Sequence, residues 1–379
     1  MCSNKEIIIF GAGKEGMQLC NMIKSKKCLL FEEYEVKYFC DNYIPMGSFV
    51  DGIKVISANE LKKIDRRYDI YICSSKHLDE IMKQLKELNI ENEVYYVPEY
   101  VYEFKYNDED MPLAVKMDIN KPRIPWVEIE VVRHCNMNCN GCSTCANISD
   151  KECISVEKFE SDIKQLKKLF SGIKVLKLFG GEPLLHNQLD HLISNARKNC
   201  PDSRIIVHSN GLLISKCDKK IFKLMSNLSV EFYFTLYPET GKLKRLIELE
   251  LEKNNVKYDF TQPVYEFRKM INKKGDYDAG EVFANCCKCI SLTNGVLSCN
   301  IPYLIDRIEK KYNVSICEDK YKGSVDIYNT DLNGWQINKL LNTPYNLCSY
   351  CAFMRFNIKD DDGYMVWKRE KPALEDWII

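Results

Sequence analysis

Apolar and polar positions alternate in two rhythms along this chain. Over the first hundred residues, compact apolar runs at 6–10, 35–40, 69–73 and 93–97 predict strands, and helical spacing of apolar positions over 14–26, 58–64 and 78–88 predicts helices between them. Strands joined by helical crossovers pair in parallel, so a small open α/β sheet is expected over residues 1–100. Residues 101–123 lose periodicity, carry the acidic run Asp108-Glu109-Asp110 and are flanked by prolines, which reads as a linker. A second rhythm begins at Trp126, with strands expected at 126–132, 175–179, 204–208, 229–236 and 257–260 and helices at 156–170, 188–199, 218–227 and 242–255. Its length suits a partial parallel (β/α) barrel over residues 124–264, whose ligands would sit beyond the strand C-termini. Residues 265–379 are irregular and short-stranded, an α+β extension with a turn expected at Thr293-Asn294-Gly295.

Composition narrows the function classes. The 379 residues hold 54 basic and 54 acidic side chains, so no global basic footprint points to nucleic acid. The longest apolar runs, such as residues 7–10, fall far below the ~18 residues of a membrane span, and no signal peptide is read, so a cytoplasmic protein without a membrane partner is expected. Nineteen cysteines are too many for that setting unless thiols serve metals or catalysis. Cys2, Cys20, Cys28, Cys40, Cys73, Cys200 and Cys217 lie in periodic apolar segments and read as small buried hydrophobes. Others cluster: Cys135, Cys139, Cys142, Cys145 and Cys153; Cys286, Cys287, Cys289 and Cys299; Cys348 and Cys351; Cys317 stands alone.

Between the first strand and first helix lies Gly11-Ala12-Gly13-Lys14-Glu15-Gly16, the setting of a phosphate-cradling turn and of a Rossmann-like unit. Gly11, Gly13 and Gly16 would admit a nucleotide or nucleotide sugar, with Asp41, 25 residues beyond Gly16, accepting from a ribose hydroxyl. A tight turn without ligand is the competing reading. One such unit offers only half of a dinucleotide site, which disfavours a nicotinamide dehydrogenase.

Cys135, Cys139 and Cys142 follow the first barrel strand in a CxxxCxxC pattern. A closed zinc site wants four ligands, whereas three thiolates on a four-iron cluster leave one iron open. This pattern, with Gly180-Gly181-Glu182-Pro183 after the second barrel strand and Ser209-Asn210-Gly211 after the third, resembles the radical S-adenosylmethionine (SAM) superfamily. The resemblance implies that a [4Fe–4S] cluster on the three cysteines binds SAM and, once reduced by a low-potential donor such as flavodoxin or ferredoxin, cleaves it to a 5'-deoxyadenosyl radical. It implies further that Gly180, Gly181, Glu182 and Pro183 meet the methionine amino group, and that Ser209 and Asn210 reach the ribose and carboxylate. Gly141 departs from the family, many members of which place an aromatic residue before the third cysteine to pack on adenine. The spacings of Cys145 and Cys153 do not match, and they read as bystanders.

The later thiols resemble the short auxiliary-cluster extension ("twitch", related to SPASM) of many superfamily members. The ligands expected for an auxiliary [4Fe–4S] cluster are Cys286 or Cys289 with Cys299, Cys348 and Cys351, the place of Cys287 being open; a four-thiolate zinc site is the alternative. His134 and His186 read as packed or solvent-facing side chains, and Tyr233, Tyr237, Tyr258 and Tyr265 as core or pocket aromatics. The expected activity is a radical SAM enzyme, an oxidoreductase or relative, acting on a sugar, nucleotide sugar or related small molecule. The setting resembles that of surface-glycan pathways, and a net oxidation through the auxiliary cluster is in view. A ribosomal-peptide maturase and a non-catalytic iron–sulfur or nucleotide sensor are the alternatives.

Overall fold

The computed structural model describes residues 5–25, 34–64, 67–102, 113–352 and 363–379. Cys2, Cys28 and the acidic run at 108–110 lie outside these residues. The chain divides into two compact units: Met1–Arg123 with two short segments around 170–172 and 200–203, and the remainder.

The first unit is a sheet of seven described strands in the order β3-β4-β2-β1-β5-β6-β7: β1 (Lys5–Phe10), β2 (Tyr34–Cys40), β3 (Phe49–Val50), β4 (Ile53–Ile56), β5 (Asp69–Ile72), β6 (Val94–Tyr96) and β7 (Val115–Met117). β4, β2, β1, β5 and β6 run parallel, while β3 and β7 are antiparallel edges. Helices α1 (Lys14–Lys24), α2 (Leu78–Glu87) and α3 (Glu99–Tyr102) accompany them. β1 is apolar without alternation because it is covered on both faces: Ile7 and Ile9 pack with Leu19 and Phe39, and Ile8 and Phe10 with Leu61 and Leu85. Three of these strands differ from expectation. The β3–β4 hairpin turns on Asp51-Gly52, both at positive φ (52° and 76°), an Asp-Gly signal between apolar pairs. β7 lies inside the stretch read as linker and pairs with β6, so the sheet reaches past residue 100; residues 103–112 are outside the description.

In the second unit an eight-stranded sheet runs β12-β11-β10-β9-β8-β14-β15-β16. Its strands are β8 (Arg123–Val132), β9 (Gly172–Gly180), β10 (Arg204–Ser209), β11 (Val230–Phe234), β12 (Tyr258–Phe260), β14 (Ile290–Thr293), β15 (Val296–Cys299) and β16 (Val325–Asp326); β13 (Glu266–Arg268) and β17 (Tyr364–Val366) form a separate antiparallel pair. β9 to β12 run parallel, with α5 (Leu189–Asn199), α6 (Lys219–Asn227) and α7 (Pro238–Lys253) as crossovers, and α4 (Val156–Leu169) lies between β8 and β9. The extension adds α8 (Ala279–Ala284), α9 (Ile301–Tyr312) and α10 (Gly334–Leu341). It does not form a compact unit of its own. β14 pairs in parallel with β8, placing Ser291 beside Glu128, and folds onto β15 through Asn294 and Gly295, both at positive φ. This pairing brings the second cysteine cluster to the strand that delivers the first.

Candidate active site

The backbone alone accounts for the two glycines after β9. A Cβ on Gly180 would stand 2.1 Å from the Val132 carbonyl oxygen, and one on Gly181 2.0 Å from that of His134. Gly181 and Glu182 donate their N–H groups to those same oxygens at 2.7 and 3.0 Å. The glycine pair is therefore the berth of the loop that carries Cys135, as well as a surface that a ligand can approach closely.

Glu182 holds the next strand end. Fully buried, its carboxylate accepts from Ser209 Oγ and Asn210 N (2.8 Å each) and from Leu184 N (3.0 Å). Burial pushes the carboxyl up to about 7 against these hydrogen bonds. Glu182 and Pro183 do not line the cavity described below, whereas Gly180, Gly181, Ser209 and Asn210 do. The structure thus uses Glu182 as a staple between two strand ends, while its neighbours Gly180, Gly181, Ser209 and Asn210 face the cavity.

The three thiols open on one cavity of about 260 Å³. Burial pushes Cys135 up to about 11 and Cys139 up to about 12, so loading a metal there must release protons. N–H donors already aim at these sulfurs: Met137 N and Asn210 Nδ2 at Cys135 Sγ (3.4 Å each) and Trp367 Nε1 at Cys139 Sγ (3.2 Å). An all-thiol set of three with N–H groups directed at sulfur fits an anionic iron–sulfur ligand set. Cys145 instead joins the apolar core beside Trp377, and Cys153 is exposed.

Residues 363–379 wrap this loop. Trp377 Nε1 donates to the Cys142 carbonyl (2.9 Å), Asn140 Nδ2 to Asp376 (2.8 Å), and Arg369 Nε to the Met137 carbonyl. Trp367 stacks on Tyr237 at 5.9 Å and 24°. Gly141, at φ 63°, has no room for a side chain, because a Cβ would lie 2.7 Å from Met365 Sδ and 2.9 Å from the Asp376 carbonyl oxygen. The wrapping segment thus explains why glycine stands at this position.

The second thiol set reaches the same cavity. Cys286, Cys289, Cys299 and Cys351 line it, and the same four with Cys348 surround a smaller void of about 60 Å³. Cys287 lines only the larger cavity of the two. Tyr345 OH lies 3.2 Å from Cys299 Sγ. Among the described residues no three Cys, His, Asp or Glu side chains converge on a point where a single metal ion could sit.

Besides the two thiol sets, the cavity carries polar groups that the strand pattern hid. Lys177 Nζ pairs with Glu128 Oε1 at 2.8 Å, with side-chain exposures of only 12% and 5%, and Asn300 Nδ2 donates to Glu128 Oε2 at 3.0 Å. His208 Nε2 lies 2.8 Å from Thr235 Oγ1, and burial holds its imidazole well below the usual range, hence neutral. Both Glu128 and Lys177 interrupt apolar strands at inward positions, a signal that periodicity counting absorbs as noise. His186 is structural, bonded to the Ile154 carbonyl and accepting from Gln188 N. Of the four tyrosines singled out from sequence, only Tyr237 lines the cavity.

In the first unit, Asp41 is already committed. Its carboxylate accepts from Ala12 N (2.8 Å) and from the N–H groups of Tyr43 and Ile44 (2.8 and 3.0 Å), clamping the glycine turn where a ribose acceptor was expected. A Cβ on Gly16 would lie 1.8 Å from the Gly11 carbonyl oxygen, whereas one on Gly13 would meet nothing within 4 Å. Glu15 beside it is half-buried, its carboxyl raised by burial and by Glu99. The turn is tightly packed, with Gly16 against the Gly11 carbonyl and Asp41 on the Ala12 amide.

Comparisons with known proteins agree with this division. Residues 129–286 match the Radical SAM superfamily, and residues 3–94 match the family described as C2185-like, N-terminal. The chain thus contains a radical SAM superfamily domain. It is similar to GTP 3',8-cyclase of Helicobacter pylori, 23% identical over 253 residues that cover 61% of this chain and 77% of that protein. A probable GTP 3',8-cyclase of Methanococcus aeolicus is 31% identical over 107 residues, 27% of this chain and 35% of its own. Among solved structures, BtrN in complex with AdoMet and 2-DOIA aligns over 65% of this chain and 96% of that one, at 20% identity and a TM-score of 0.38. Among the described residues no helix is long and apolar enough to cross a membrane.

Proposed function

We propose that this protein is a radical SAM enzyme that acts on a sugar, nucleotide sugar or related small molecule, with its reduced cluster held by Cys135, Cys139 and Cys142. When bound, the cluster and SAM would supply a 5'-deoxyadenosyl radical able to take a hydrogen atom from the substrate. The observation that carries the reading is the shared cavity: three thiols from the loop after β8 and five from the extension line one space. Gly180, Gly181, Ser209 and Asn210 supply backbone and side-chain groups on the wall next to the first set, suited to a ligand's amino and carboxylate groups. Cys286 or Cys289, with Cys299, Cys348 and Cys351, would hold an auxiliary cluster that accepts an electron from the substrate, giving a net oxidation. GTP, the substrate in the names of the cyclase relatives, would bring several negative charges to a cavity whose one lining lysine among the described residues, Lys177, is already paired with Glu128. A less charged substrate is therefore favoured. No ligand is assigned to residues 11–16, since Asp41 holds the Ala12 amide. Anaerobically reconstituted protein given dithionite and SAM should release 5'-deoxyadenosine, and the Cys135→Ala/Cys139→Ala/Cys142→Ala variant should release none. Unchanged release by that variant would overturn the proposal.

A further inference from the structure

We infer that the Glu128–Lys177–Asn300 network, with His208 on the same cavity, is the recognition site for the reacting part of the substrate, and that this part is an uncharged, polyhydroxylated ring. The inference rests on the proposed function, which places the radical in this cavity, and adds the substrate's chemical class.

Position comes first. Glu128 on β8, Lys177 on β9 and His208 on β10 project from three neighbouring strands, and Asn300 follows β15; all four line the cavity that both thiol sets also line. A molecule resting on them shares its cavity with both sets.

Charge comes next. Among the described residues, Glu128 and Lys177 are the only lining residues with a carboxylate, ammonium or guanidinium group, and they neutralise one another at 2.8 Å. Lys177 is fixed further over the rings of Trp126 (5.6 Å) and Phe179 (5.7 Å). A phosphate or carboxylate on the reacting ring would have to separate this buried pair and leave Glu128 without its cation, an expensive exchange. A neutral ring asks for no such exchange.

Hydrogen-bond chemistry then selects among neutral ligands. The site offers a carboxylate that only accepts, an ammonium that only donates, and amide, imidazole and hydroxyl groups of mixed character within one small space. Vicinal hydroxyls both donate and accept, so adjacent ring positions can satisfy adjacent wall groups. A purely apolar ligand would use none of the donor and acceptor capacity these groups retain beyond their mutual bonds.

The test uses the reconstituted, SAM-loaded enzyme and saturation-transfer NMR with four probes: myo-inositol, methyl glucoside, glucose 6-phosphate and cyclohexanol. The two neutral polyols should receive saturation, and the phosphorylated sugar and cyclohexanol should receive at least tenfold less. Lys177→Met leaves a buried carboxylate unpaired and risks misfolding, so the informative variant is Glu128→Gln/Lys177→Met, which removes both charges and keeps the volume. With the parent's iron content and far-ultraviolet dichroism, it should lose polyol saturation at least tenfold. Polyols that never bind the parent, glucose 6-phosphate that binds as well as they do, or polyol binding that survives in the double variant would each overturn the inference. Transfer to the SAM methyl signal in the same parent sample reports on the proposed function separately. If SAM fails to bind, that reading fails, while the polyol signal still decides this one.

Discussion

Replacing Trp367 by Phe should make the first cluster harder to reduce. The indole Nε1 stands 3.2 Å from Cys139 Sγ, and its ring is stacked on Tyr237, so Phe keeps most of the packing and removes only the N–H. A hydrogen bond to a charged acceptor is worth roughly 1.5–3 kcal/mol. Reduction adds negative charge that spreads onto the thiolate sulfur, so the bond is stronger in the reduced state. If the two states differ by about 1 kcal/mol, the one-electron relation of 59 mV per tenfold, or about 1.4 kcal/mol, converts the loss into ~40 mV. The midpoint of Trp367→Phe should therefore move negative by about that amount. The assay is an anaerobic potentiometric titration followed by paramagnetic resonance of the reduced cluster, on samples matched for iron. A midpoint that stays put, or moves positive, would show that the N–H does not reach the sulfur in the loaded protein.

Further outcomes test other parts of the structure. Gly181→Ala should cost at least ~3 kcal/mol, read as a fall in melting temperature or loss of soluble protein, because its Cβ would lie 2.0 Å from the His134 carbonyl oxygen. In the first unit Gly16→Ala should destabilise strongly and Gly13→Ala hardly at all; equal melting temperatures would show that the turn is not packed as described. Trp377→Ala, which empties a fully buried site and removes the donor to the Cys142 carbonyl, should cost about 3–5 kcal/mol and lower iron retention on dilution. Glu182 gives a pH signature. Its carboxyl is raised from 4.5 to about 7 in the fold, so its contribution is fully present below pH ~4.5 and is lost as pH rises through ~7. His208, lowered by burial, acts in the opposite sense, losing its contribution as pH falls below ~6.5, so the parent melting curve mixes the two. The melting difference between the parent and Glu182→Gln isolates Glu182 and should change steadily between pH 4.5 and 7; a flat difference would contradict the raised carboxyl.

The parts read well from sequence are those set by local rules. The βα rhythm of β9 to β12, the Asn294-Gly295 hairpin and the placement of Cys135, Gly180 and Ser209 at successive strand ends follow from period, turn chemistry and spacing. Parts that depend on distant residues were not readable. Asp41 could be taken for a ligand group because nothing local reveals that Ala12 N–H already claims it. Glu182 likewise becomes a staple only when Ser209 and Asn210 fold against it. The two-residue strand β3 falls below what periodicity can resolve, although Asp51-Gly52 marked its turn. Glu128 and Lys177 were hidden for the opposite reason: each alternates with apolar neighbours as a solvent-facing polar residue would, and only the sheet shows both facing one cavity.

The wrap of residues 363–379 around the first cysteine loop also sets an order of events during biosynthesis. Trp367 follows Cys139 by 228 residues, so at about 5–20 residues per second the ribosome needs roughly 10–50 s to make the group that caps this thiol. During that interval the loop has its berth on Gly180 and Gly181 but none of its outer cover, and its thiols are open to iron delivery and to oxidants alike. Metal loading thus has a natural window before the wrap is made. Once Trp377 and Asp376 are in place, that segment covers the outer side of the loop, and the cavity is left as the route to its thiols.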